Sequence, residues 1–126
     1  MNGQDTGMAS TFTELIVDAT DPRGLADFWC AVLGWNVTED DEEGVEIAAA
    51  AGSLPKIVFV PVPDAKTVKN RVHIDVSPSG CDQAEEVERV LALGARPVDV
   101  GQGEPTWVVL ADPEGNESCI LRERVD

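Results

Sequence analysis

Histidine occurs once in the 126 residues, at position 73, so imidazole chemistry of either kind, acid–base or metal-binding, rests on one side chain. Basic residues are scarce too: nine Lys and Arg stand against 24 Asp and Glu, a formal charge of -15. Phosphate contacts need a basic patch, so neither nucleic acid nor an anionic membrane is an expected partner. Four of the nine basic residues fall at Lys56, Lys66, Lys69 and Arg71. Local balance of acidic neighbours accounts for them, with an anion-binding rim as the alternative. Cysteine is limited to Cys30, Cys81 and Cys119, an odd count without a CxxC pair. That excludes a disulfide framework and points to a reducing, cytoplasmic setting. No apolar run approaches the roughly 20 residues of a membrane span. Residues 1–10 lack the basic-then-apolar order of a signal peptide and read as a loose leader. There is no G-x-S-x-G turn, and Gly101-Gln102-Gly103 carries only a fragment of a dinucleotide fingerprint and opens no helix.

What is present is an ordinary apolar fraction, 43%, enough for one domain to bury a real core. Residues 11–19 alternate as a strand does, with Leu15, Val17 and Ala19 on the apolar face. Asp21-Pro22 opens a helix over 22–33: an Asp N-cap precedes Pro at the first helical position, where its missing N–H costs nothing. Leu25, Phe28, Trp29, Val32 and Leu33 form one buried stripe, and Gly34 closes it. Strands are expected at 35–38, 45–51 and 56–62, with Glu39 to Gly44 as an exposed acidic hairpin turn. A linker spans 63–70. The second half repeats the order: a strand at 71–76, a helix at 82–93 closed by Gly94, and strands at 95–100, 106–111 and 117–124. Asp112-Pro113-Glu114-Gly115-Asn116 is the tight turn before the last strand. Leu33-Gly34 and Leu93-Gly94 mark the same place in each half.

Strand, helix and three strands, twice over, is an α+β design. Each half leaves an apolar sheet face uncovered, so two such βαβββ modules, about 11–62 and 71–126, should pair as one domain. Their helices would lie outside, and a curved mixed sheet would enclose a cup.

Three stretches carry a resemblance. They are Asp21 to Trp29 with Leu33-Gly34-Trp35, Lys66 to Asp75, and Asp112 to Glu117. In this order they resemble the vicinal oxygen chelate superfamily, the glyoxalase, bleomycin-resistance and extradiol dioxygenase group, and within it the small glyoxalase-like branch. The resemblance covers about residues 12–124. It implies a cup for a small molecule, a homodimer, and in the enzymes of the group a divalent metal such as zinc, nickel, manganese or iron. The four metal positions carry over to Glu14, Val60, His73 and Cys119. Valine cannot ligate, and a thiolate suits zinc better than the oxygen-loving ions. The expectation is therefore a degenerate metal site and a metal-free cup lined by Trp35, Val60, Asp75, Trp107 and Cys119, binding an apolar or aromatic molecule. The alternative is a metal-dependent lyase, isomerase or dioxygenase using Glu14, His73 and Cys119. In a metal-free catalyst His73, oriented by Asp75 or Glu14, would be the base.

Overall fold

The computed structural model describes residues 7–99, 101, 103 and 106–126. Residues 1–6 of the expected leader, Val100 at the end of an expected strand, and Gln102 of the glycine pair lie outside the described residues. The first module is β1 (Glu14–Ala19), α1 (Pro22–Leu33), β2 (Asn36–Asp41), β3 (Gly44–Ala48) and β4 (Lys56–Pro61). The second is β5 (Ile74–Val76), α2 (Gln83–Leu93), β6 (Arg96–Pro97), β7 (Val108–Ala111) and β8 (Glu117–Ile120).

Both helices begin and end where their caps dictate. The Asp21 carboxylate accepts the Gly24 N–H at 3.1 Å, and Gly34, at φ 70°, donates to the Cys30 carbonyl at 2.8 Å. Asp82 and Glu85 form a reciprocal capping box at the start of α2, which satisfies two otherwise unpaired N–H groups. Leu25, Ala26, Phe28 and Trp29 are the buried side chains of α1.

The strands follow one topology twice, β1-β4-β3-β2 and β5-β8-β7-β6. The first and last strands of each module pair in parallel and the rest antiparallel. The expected paired modules are thus two four-stranded mixed sheets, unclosed, with α1 packed on β3 and β4 and α2 on β8. One core joins them. Phe28, Trp29, Ile47 and Phe59 of the first module pack in the same cluster as Val90, Leu110 and Ile120 of the second. Arg89 of α2 adds a polar bridge by donating to the Ala31 and Val32 carbonyls of α1, each at 3.0 Å.

Two local expectations are corrected. The acidic stretch from Glu39 is not all turn: Glu39, Asp40 and Asp41 continue β2, and only Glu42 and Glu43 turn. β2 is the edge of its sheet, so its charges stay in water, and Arg23 holds Asp40 at 2.7 Å. The second module's strands are also shorter than their alternation suggests. β5 starts at Ile74, leaving Arg71, Val72 and His73 in the approach to it, and β6 is two residues ending at Pro97, which has no N–H for the ladder. Trp107 lies just before β7, and residues 121–124 lie beyond β8. An apolar–polar alternation without a neighbouring backbone to pair with does not make a strand.

Candidate functional site: a cleft between the modules and a thiol-lined recess

A cavity of 660 Å³ lies between the two modules. Its walls include four consecutive residues of β1, Leu15 to Asp18, and five leading into β5, Asn70 to Ile74. Successive strand residues face opposite ways, so consecutive lining residues mean that the cleft opens on strand edges rather than on one face. β1 and β5 are indeed edge strands of their sheets. Val17, Trp29, Ile57 and Phe59 supply an apolar wall; Lys66, Asn70, Arg71 and Glu117 supply polar groups opposite.

The polar side is built by the 112–117 turn and the 63–70 linker. Asp112 is 1% exposed, and a buried carboxylate must be fully hydrogen-bonded. It accepts from the Trp29 indole at 3.0 Å, from the Glu114 and Asn116 N–H groups at 2.9 and 3.0 Å, and from the Asn116 amide. The Asn116 side chain in turn accepts from Asn70 at 2.9 Å. Glu114 reaches the first module and accepts from the Thr20 and Asp21 N–H groups at 2.7 and 2.8 Å. Glu117 accepts from Lys66 and from the Asn70 N–H, each at 2.9 Å. Burial pushes the Glu117 carboxyl up, but Lys66 and these N–H groups outweigh it and hold it below its usual range.

A second cavity, 320 Å³, lies on the open face of the second sheet, bounded by Lys69, His73, Asp75, Trp107, Val109, Glu117, Cys119 and Leu121. Asp75 of β5 and Cys119 of β8 are register partners. His73, two residues before Asp75, shares its face, with Nε2 3.0 Å from Asp75 Oδ1. Burial, then the charge of Asp75 and a hydrogen bond to it, push the Cys119 thiol up, against a smaller opposing effect of Lys69.

The sequence-derived site residues divide accordingly. His73, Asp75, Cys119 and Trp107 meet at the smaller cavity, and His73 also touches the larger one. Glu14, Val60 and Trp35 line neither cavity. Glu14 sits opposite Lys56, 3.9 Å from its ammonium; Val60 is the register partner of Asp18; Trp35 packs against the core. The four superfamily metal positions therefore do not fit a bound ion as a set: one carries no donor and another faces a lysine. Lys66, Asn70, Asp112, Asn116 and Glu117 were missed as site residues. Their signal was available, because all five fall inside two of the three stretches that carried the resemblance.

Paired βαβββ modules around a cleft define the vicinal oxygen chelate architecture. The chain belongs to the glyoxalase-like domain family, whose pattern matches residues 14–121. Similar solved structures include the fosfomycin resistance protein FosX from Listeria monocytogenes (16% identity, 94% of each chain covered, TM-score 0.69). A glyoxalase/bleomycin resistance protein/dioxygenase family enzyme from Burkholderia phytofirmans is 17% identical over 88% of this chain and 97% of its own, with a TM-score of 0.63. A hypothetical protein from S. aureus is 18% identical over 93% and 96%, with a TM-score of 0.62. At such identities the likeness is one of fold. No curated protein matches the sequence. Among the described residues no helix is long and apolar enough to cross a membrane.

Proposed function

We propose that this chain binds a small apolar or aromatic molecule in the cleft between its modules, without the four-position metal set of the superfamily's enzymes. The observation that carries this reading is the 660 Å³ cavity itself, a volume suited to a small ligand, with an apolar wall on one side and fixed polar groups on the other. Lys66, Asn70 and Glu117 are held by mutual hydrogen bonds before any ligand arrives, so binding to them would cost little reorganisation. The protein acts in the cytoplasm as a homodimer; the three unpaired cysteines support the first of these, and size-exclusion chromatography with light scattering tests the second.

The test is a titration with an apolar fluorescent dye, followed by a panel of small aromatic compounds that displace it. Val72 lines the cleft and is 69% exposed, so Val72→Trp should fold normally while narrowing it. The expected result is one dye per chain and about tenfold weaker binding in Val72→Trp, a loss of roughly 1.4 kcal/mol. Equal dye binding by both proteins would refute the cleft as the site. A second reading, a metal-dependent lyase, isomerase or dioxygenase, draws on the contact of His73 with Asp75 beside Cys119.

A further inference from the structure

We propose that His73, Asp75 and Cys119 form a zinc-binding site contained wholly in the second module, in which Asp75 joins two of the four superfamily positions and replaces the pair from the first module. Their donor atoms all lie within 4.8 Å of one another, the one such group of three among the described residues. Donors around a tetrahedral zinc stand about 3.3–3.8 Å apart, given bonds of about 2.0–2.3 Å. The three atoms therefore need to close by only about 1 Å, a side-chain adjustment. Two backbone facts bring them together: the two-residue spacing that puts His73 and Asp75 on one face, and the parallel register that sets Asp75 beside Cys119.

The donor chemistry selects the ion. One imidazole nitrogen, one carboxylate oxygen and one thiolate sulfur suit a borderline ion such as zinc, whereas calcium and magnesium want oxygen alone. Cys119 is 6% exposed and fixed in β8, while the His73 and Asp75 side chains are 43% and 47% exposed. A buried anchor with two open donors gives the ion a route in. On binding, the thiol proton is released to solvent as the Zn–S bond forms. Three protein ligands would leave a fourth position free, and the three donors share their recess with Trp107, Val109 and Leu121. An aromatic and aliphatic wall beside an open zinc position would take a small ligand with one coordinating oxygen or sulfur. This departs from the metal-free expectation and does not depend on the cleft binding anything.

Cobalt(II), which takes the place of zinc and gives a thiolate-to-metal charge-transfer band, is the probe. The full chain, purified with chelator and then dialysed, is titrated with cobalt(II) and with zinc alone, no organic ligand being needed. The expected result is one ion per chain and a charge-transfer band that zinc displaces. Cys119→Ser should lose the band. Asp75→Asn, which is isosteric and on the open face, should weaken binding more than about 100-fold, beyond the 10–100-fold effect of an outer-shell partner. Glu14→Gln should bind as wild type does, with circular dichroism checking that each variant is folded. Absence of saturable uptake, a band that survives Cys119→Ser, or a loss in Glu14→Gln as large as in Asp75→Asn would each overturn the site. Since the readout is metal alone, its failure leaves the dye-binding test of the cleft standing, and the reverse holds too.

Discussion

Asp112 is a carboxylate on which both modules converge. It is buried, caps its own turn, and is the acceptor for the Trp29 indole from the other module. Asp112→Ala would leave that buried N–H and two part-buried backbone N–H groups without their partner, at about 1–3 kcal/mol for a buried donor left unsatisfied and less where cleft water can replace the carboxylate. A total loss of about 2 kcal/mol or more in urea denaturation is expected. Trp29→Phe removes only the indole donor and should cost less than Asp112→Ala; equal or reversed costs would show that Asp112 serves its own turn alone. Such a residue is hard to find in a sequence. Asp-Pro-Glu-Gly-Asn reads as a turn from its Pro and Gly, and that reading is correct. Its partner lies 83 positions earlier on a helix stripe, and the stripe rule assigns Trp29 to the core without hinting that its N–H needs an acceptor.

At the scale of elements, legibility follows how local the causes are. The two helices were readable because caps, proline and glycine act within four residues. β2 was readable only over residues 36–38; its continuation through Asp41 was not, because an acidic run reads as solvent-facing loop and only the pairing with β3 makes it part of an edge strand. The recess was half readable. His73 and Asp75 share a face by alternation, but their meeting with Cys119 depends on strand order and register, which no local signal encodes. Contact between the helices has its own test. The Glu86 side chain is 8% exposed and pairs with Arg89, which also bonds the end of α1. Arg89 holds the Glu86 carboxyl below its usual value, with burial opposing and a hydrogen bond from Cys81 adding a little. A carboxyl whose pKa falls on folding stabilises the protein fully above its unfolded value, about 4.3, and that stabilisation is lost as pH falls through the lower folded value. Stability measured from pH 6 down to pH 3 should therefore decline more gently in Glu86→Gln than in wild type. Parallel profiles would mean that the pair contributes nothing to acid sensitivity.

At the scale of the molecule, the sequence repeat suggests two equal halves, yet the shared core is lopsided. Nine of its buried members come from the first module, from Ala19 to Phe59, and three from the second, Val90, Leu110 and Ile120. Ile74, Val76, Val87, Leu91, Ala95 and Val108 of the second module pack against this same cluster, so the second module shares its core with the first and is expected to depend on it for its order. The Arg89 bridge, the Trp29–Asp112 bond and the Glu114 contacts to Thr20 and Asp21 all cross the same boundary. Because losing one half strips partners from the other, the chain should unfold as one cooperative unit, as small single domains usually do. Calorimetry should give a single transition whose van't Hoff and calorimetric enthalpies agree. A fragment of residues 63–126 expressed alone should show no cooperative melt and little amide protection. Two separate transitions in the full chain, or a fragment that melts sharply, would mean that each module carries its own stability and that the cleft between them is free to open.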